Sequence, residues 1–254
     1  MDCASTGAVV TGGSGTIGAA VVDELARAGT DVTVAYHADE SGADAAAEAA
    51  RDRGVRAQTV RADVTDPAEA AALIETAADF TDLCIVVHCA GVTELQAVED
   101  VTGDAIQQSF AVDVEGAMNV AAPAVGSMRD RRSDHEHTGA VVAVSSVAAL
   151  SGTVSIPYAA AKAGLVGAMR ALARECGTDG ITANVVCPGP VESAVNDEII
   201  EYLEDQRFRG HQTVDTLLGR YEAQPEEVAE AVAFLAGHGF VTGETLSVDG
   251  GLTL

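Results

Sequence analysis

The stretch Thr11-Gly12-Gly13-Ser14-Gly15-Thr16-Ile17-Gly18 follows a short apolar run at 8–11 and opens an Ala-rich helical pattern at 17–28 that Gly29 stops. Strand, glycine turn, helix is the context that a dinucleotide-binding turn requires. Glycines let the backbone approach a pyrophosphate, and the helix N-terminus adds N–H groups and partial positive charge. Gly13, Gly15 and Gly18 satisfy G-x-G-x-x-G, whereas Gly12, Gly15 and Gly18 satisfy G-x-x-G-x-x-G. Spacing alone therefore leaves the type of turn open.

Outward from this turn, short runs rich in β-branched residues alternate with helical patterns along the chain. The runs lie at 32–36, 55–60, 83–88, 140–145, 181–186 and 245–248. Helices are predicted over 41–53, 67–78, 104–128, 158–175 and 225–236, with a less regular stretch at 193–221. Ser41 and Asp44 form a plausible capping box for the second helix, and Asp66-Pro67 reads as N-cap and first residue of the third. Repeated strand–helix units without a linker predict one α/β domain over 1–254, a doubly wound sheet of seven parallel strands with right-handed crossovers.

Composition excludes several function classes. The 254 residues carry 14 basic and 39 acidic side chains, a formal charge of −25. Such a surface repels phosphate backbones and anionic lipid, so no nucleic-acid or membrane partner is expected. Hydrophobic residues make up 48% and Trp is absent, so a sizeable core must be built from Ala, Val, Leu and Ile. Cys3, Cys84, Cys89, Cys176 and Cys187 include no C-x-x-C pair, which speaks against a disulfide framework or a thiolate zinc site. The acidic start MDCASTGAVV and the lack of any long apolar run suggest a reduced, cytoplasmic compartment. His135 and His137, in the charged loop 129–138, lack metal-ligand spacing, and no metal site is expected. Thirteen of the basic residues are Arg and one, Lys162, is Lys, a halophile-like balance in which high salt screens self-repulsion.

That lone lysine stands four residues after Tyr158, in PYAAAKAG, so both side chains share one helix face. A phenol is a poor acid–base catalyst at neutral pH, and a nearby cation favours its ionised form. Where every other positive charge is Arg, a solvated helix face does not explain a lysine here.

The glycine turn, Y-x-x-x-K, VSSVAALSG, NVVCPGPVES and the tail EEVAEAVAFL…VTGETLSVDGG together resemble the short-chain dehydrogenase/reductase family, in its branch of about 250 residues, from end to end. The likeness is nearest to 3-oxoacyl-(acyl-carrier-protein) reductases; the G-x-x-G-x-x-G spacing resembles the extended sugar-nucleotide epimerase branch, whose members are longer and lack such a tail, so that reading of the glycines is disfavoured. It implies a Rossmann-type fold and hydride exchange between NAD(P)(H) and a carbonyl or secondary alcohol. Tyr158 would carry the hydroxyl proton, and Lys162 would hold the nicotinamide ribose. The family's substrate-facing serine matches Ser146 or Ser145, of which Ser146 is preferred. Since adjacent strand residues face opposite ways, only one can point at the site. Ser146 stands 12 residues before Tyr158, one fewer than the common spacing.

For the cofactor, the resemblance implies contacts from Gly12, Ser14, Gly15, Thr16, Ile17 and Gly18, from Tyr36 and His37, and from Asp63 and Val64 beside adenine. Further contacts are implied for Cys89, Ala90 and Gly91, and for Pro188, Gly189, Val191 and Ser193 beside the carboxamide. Residues 194–221 would cover the substrate. The family also implies a homotetramer or homodimer. Two departures stand out: His88-Cys89-Ala90-Gly91 replaces N-N-A-G, and Asp113 replaces the Asn that kinks a helix beside the lysine. These departures leave a catalytically silent dinucleotide-binding protein as the alternative. The second strand ends in Tyr36-His37, with no carboxylate to repel a 2′-phosphate, so NADP(H) is favoured over NAD(H), although neither this strand end nor the glycine turn offers Arg or Lys.

Overall fold

A computed structural model describes residues 6–130, 138–205 and 216–254. Its strands send alternate residues into two helical layers. From β1 (Gly7–Thr11), Val9 enters one core while Ala8 and Val10 enter the other. The same division continues along β2 (Asp31–Tyr36), β4 (Leu83–His88), β5 (Gly139–Val144) and β6 (Ile181–Pro188). Burial on both faces is why these strands read as nearly unbroken apolar runs. With β3 (Ala57–Arg61) and β7 (Thr245–Val248) they form one parallel seven-stranded sheet, as the alternating pattern predicts, and its order is β3-β2-β1-β4-β5-β6-β7.

One layer holds α1 (Thr16–Arg27), α2 (Glu40–Asp52) and α9 (Pro225–Gly237), and the other holds α3 (Pro67–Phe80), α5 (Gly116–Asp130) and α7 (Ile156–Cys176). The cores are almost wholly Ala, Val, Leu and Ile. Between β4 and α5 lie α4 (Gly103–Phe110) and a π-helical turn, Ala111–Glu115. The short α6 (Ala148–Ser151) follows β5, and α8 (Ala194–Asp205) follows β6. The strand order reverses direction between β1 and β4, which opens a crevice beyond their carboxyl ends.

Three expectations are corrected. The cap of α2 is Asp39, which accepts the Gly42 N–H at 3.0 Å, and not the Ser41/Asp44 box. The stretch 193–221 contains the regular helix α8, and Ser193 accepts the Asn196 N–H at its start. Ser145 lies just beyond β5 instead of ending it. The loop carrying His135 and His137 lies mostly outside the described residues, as does Cys3. Among the described residues no helix is long and apolar enough to cross a membrane, and no cluster of ligand side chains is arranged for a metal.

Candidate active site

The glycine turn is shaped partly by the chain's own packing. Gly12 has φ +62°, and a Cβ there would lie 2.7 Å from the Ala90 nitrogen. At Gly18 a Cβ would come within 2.1 Å of the Gly12 carbonyl, and at Gly13 within 2.6 Å of a Val34 methyl. Gly15 differs: it is exposed, and its Cβ would meet only the Gly12 oxygen, at 3.4 Å. Space over Gly15 is therefore open. No side chain caps α1, and no acid occupies its first turn, in a chain with 39 acids. An uncapped helix N-terminus under an open glycine fits a pyrophosphate by dipole and by shape. Ser14 and Thr16 flank it, while Ile17 packs against the core beneath.

The residues expected to meet adenosine lie beside the carboxyl ends of β2 and β3. Asp63 follows β3, and its Oδ1 accepts both the N–H and the hydroxyl of Thr65, which hold the carboxyl below its ordinary range. The His37 ring lies 3.8 Å from Asp63 Oδ2. Val64 is pinned by Asn119, whose amide donates to its carbonyl at 3.0 Å. The sequence reading missed Arg61 here: its Nε–H donates to the His37 carbonyl at 3.2 Å.

The chemical centre is built where β4, β5, α7 and the π turn meet. Lys162 is buried, with its Nζ 5.7 Å from the centre of the Tyr158 ring. Nζ donates to Asp113 Oδ1 at 2.8 Å and to the Val144 carbonyl at 3.3 Å. Asp113 sits inside the π turn with no side-chain exposure, and its Oδ2 has no partner. The kink expected of Asn is thus kept, but as an ion pair. Burial pushes the Asp113 carboxyl up against the pull of Lys162. Burial also pulls Lys162 down, but Asp113 and then Tyr158 more than offset this, and the ammonium stays above its ordinary range.

Neighbours make room for that pair. A Cβ on Gly91 would lie 2.8 Å from Asp113 Oδ1 and 3.0 Å from Lys162 Nζ, so only glycine fits. Cys89 is a protonated thiol, pushed up to about 12 by burial. His88 is kept neutral at about 3, by burial first and then by the Lys162 charge. Its Nδ1 lies 3.0 Å from the Thr11 hydroxyl, so an imidazole joins β1 to β4 where amides were expected.

The two serines divide as adjacent residues should. Ser145 Oγ donates to the Lys162 carbonyl at 2.9 Å and is consumed in holding α7. Ser146 Oγ accepts the Ala148 N–H at 3.1 Å, which leaves its own proton free to donate. Between Ser146 and Tyr158, Val154 has φ +76°, the one described non-glycine residue at positive φ. A β-branched residue there is strained, in the loop read as one residue short.

Beyond β6, Val191 pairs with Ala223 in a bridge that uses the Glu192 N–H and the Pro190 carbonyl. The Val191 N–H stays outside that pairing. A Cβ on Gly189 would lie 3.0 Å from the Asp249 backbone, and Gly189 N–H bonds the Val248 carbonyl, fixing the turn after Pro188. The Ser193 hydroxyl, expected to reach the cofactor, instead donates to the Val191 carbonyl at 3.1 Å while it caps α8.

A family model described as enoyl-(acyl carrier protein) reductase matches residues 12–253. The chain is 34% identical over 248 residues to L-rhamnose 1-dehydrogenase (NAD(P)(+)) of a Sphingomonas species, with 96% of this chain and 94% of the relative covered. It is 37% identical to cis-4-hydroxycyclohexanecarboxylate dehydrogenase of Sinomonas cyclohexanicum, with 97% and 96% covered. Against a 3-oxoacyl-(acyl-carrier-protein) reductase of Staphylococcus aureus the identity is 32%, with 96% and 97% covered. Among solved structures, an actinorhodin polyketide ketoreductase variant with NADPH superposes with a TM-score of 0.87 at 29% identity, over 98% of this chain and 97% of the other.

Proposed function

The chain belongs to the short-chain dehydrogenase/reductase family and is an NAD(P)-dependent oxidoreductase acting on alcohols or ketones; from that premise we propose that it is an NADP(H)-preferring carbonyl reductase whose proton is handled by Ser146, Tyr158 and Lys162. The observation that carries this is the buried Lys162 ammonium 5.7 Å from the Tyr158 ring, on one helix beside the crevice. When bound, the nicotinamide cofactor supplies or accepts the hydride at the carbonyl carbon. The chain's own residues do the rest. Ser146 donates to the substrate oxygen and orients it, and Tyr158 gives that oxygen its proton in reduction or takes it back in oxidation. Lys162 sets the positive field around the phenol, and Asp113 positions Lys162.

The pyrophosphate would rest on Gly12, Ser14, Gly15, Thr16, Ile17 and Gly18, adenosine on Tyr36, His37, Asp63 and Val64, and the nicotinamide end on Cys89, Ala90, Gly91, Pro188, Gly189 and Val191, with the Ser193 hydroxyl kept for the start of α8. Within the segment 194–221, the described residues 194–205 and 216–221 would cover the substrate, for which 3-oxoacyl thioesters are the first class to test because a 3-oxoacyl reductase is among the relatives. NADP(H) is favoured because β2 ends in Tyr36 and His37 with no carboxylate at that point. The same reading takes the protein as a cytoplasmic, salt-adapted homotetramer or homodimer.

The test is a panel of 3-oxoacyl thioesters, cyclic ketones and sugar alcohols with both cofactors, followed by absorbance of the reduced nicotinamide. Turnover of a thioester with kcat/KM higher for NADPH is expected. Cofactor binding without turnover of any ketone or alcohol would refute the catalytic reading and leave a silent binding protein. His37→Asp supplies the control, since a carboxylate at the end of β2 should move preference toward NADH.

A further inference from the structure

We infer that Arg61, from the neighbouring strand, is the cation that reads the 2′-phosphate of NADP(H). The inference rests on the NADP(H) reading and locates the charge that β2 and the glycine turn lack. Arg61 is the last residue of β3 and stands in register with Tyr36, the last residue of β2. Its Nε–H holds the His37 carbonyl at 3.2 Å. The guanidinium is thereby anchored to the backbone of the residue that follows β2, beside the adenosine ribose position.

Its charge is also uncommitted. Among the described residues, no carboxylate lies within ion-pair distance of Arg61, and its terminal nitrogens make no hydrogen bond. Neighbouring arginines are spent: Arg51 pairs with Glu48, Arg53 with Asp23 and Arg56 with Asp31. Of the nine described arginines six pair with a carboxylate; Arg61, Arg170 and Arg174 do not, and among these three only Arg61 stands at the carboxyl end of the sheet beside β2.

The acids nearest to this end of the sheet are engaged elsewhere. Asp39 accepts the Gly42 N–H and the Ser41 hydroxyl at the start of α2. Asp63 Oδ1 is bonded by Thr65, while Oδ2 lies 3.8 Å from the His37 ring and the carboxyl feels the Arg61 charge without pairing with it. Asp44 accepts from the Thr59 hydroxyl at 3.1 Å. A planar guanidinium with two terminal nitrogens free suits a dianionic phosphate, which it can bind through parallel N–H···O bonds. His37 flanks the same place and adds a second donor.

The experiment measures binding, separately from turnover. Dissociation constants for NADPH, NADH, 2′,5′-ADP and 5′-AMP are taken by calorimetry at one salt concentration, for the wild type, Arg61→Gln and Arg61→Lys. Loss of a charge-assisted contact should weaken NADPH and 2′,5′-ADP by about tenfold or more in Arg61→Gln. NADH and 5′-AMP should stay within about twofold, and Arg61→Lys should recover part of the loss. Equal weakening of all four ligands would make Arg61 a structural tie between β2 and β3 and overturn the assignment. A wild type that prefers NADPH beside an Arg61→Gln variant that prefers it equally also overturns the assignment, while NADP(H) preference stands. A wild type without that preference removes the NADP(H) reading and this inference with it.

Discussion

Replacing Asp113 by Asn tests whether the buried ion pair holds the chemical centre together. The substitution keeps the shape and an acceptor oxygen but removes the charge 2.8 Å from Lys162 Nζ. Breaking a buried pair by removing one charge typically costs about 3–5 kcal/mol, because the other charge stays buried. Asn returns about 1.5 kcal/mol of that as a hydrogen bond from the Lys162 ammonium to its neutral amide oxygen. It also removes a carboxylate that burial already disfavours and whose Oδ2 has no partner. The net cost should therefore lie near the low end, about 2 kcal/mol. For a chain of this length that is a fall of about 4–8 °C in Tm. The pH dependence follows from Lys162, whose folded-state pKa is raised, with burial opposing and Asp113 the first charge that offsets it. A raised pKa on a cation contributes stability that is fully present below its unfolded value and is lost as pH rises through the folded value. In the wild type that loss begins above the ordinary lysine range. In Asp113→Asn the burial that opposes the charge loses its main counterweight, so the folded-state pKa falls: the alkaline loss of stability should shrink or reverse, while the alkaline limb of turnover moves to lower pH. Thermal melts and turnover between about pH 6 and 12, with Lys162→Met and the double variant closing a mutant cycle, measure the coupling and the alkaline limb. A coupling under about 0.5 kcal/mol, or an unchanged alkaline limb in Asp113→Asn, would refute the reasoning.

Three further outcomes follow from the site. Tyr158→Phe removes the transferable proton and keeps the ring, so turnover should fall by about 10²-fold or more with NADPH binding unchanged; retention of over a tenth of turnover would exclude Tyr158 as the acid. Gly91→Ala places a Cβ 2.8 Å from Asp113 Oδ1 and should lower kcat by about tenfold or more, since small misplacements at a reacting centre are costly; activity within twofold of wild type would show that the pair tolerates displacement. With a formal charge of −25, the Tm should rise between about 0.1 and 3 M KCl as the Debye length falls to roughly 3 Å and below. A flat or falling midpoint counts against salt adaptation.

What could be read from sequence, and what could not, divides by the range of the interaction. The five inner strands were legible because both faces of the sheet are covered there, so each leaves a largely apolar β-branched run of its own. Asp66-Pro67 was legible because an N-cap is a local arrangement, and Asp66 does accept the Ala68 N–H at 2.7 Å. Locality also misled: Asp39, Ser41 and Asp44 all carry capping chemistry, and only the reach of Asp39 to Gly42 decides among them. The helix α8 was missed because its apolar positions, Val195, Ile199, Ile200 and Leu203, are few among acids, and Val195 is exposed.

The charges that define the site have partners far away in sequence. Lys162 and Asp113 are 49 residues apart, and Arg61 and His37 are 24 apart. A family likeness brought Asp113 to the neighbourhood of the lysine, but the ion pair depends on the π turn that buries it and on Gly91 leaving room. No local pattern marks Arg61 at all, because it ends an ordinary strand, and only the register of β3 on β2 sets its guanidinium beside His37. Both placements share one physical logic. In a chain this acidic, most positive charge is bound by surface carboxylates, so a cation acts on a ligand only where burial or backbone anchoring holds it apart from them. Lys162 meets that condition by burial with a single carboxylate, and Arg61 meets it through a carbonyl that takes its Nε proton and leaves its charge unspent.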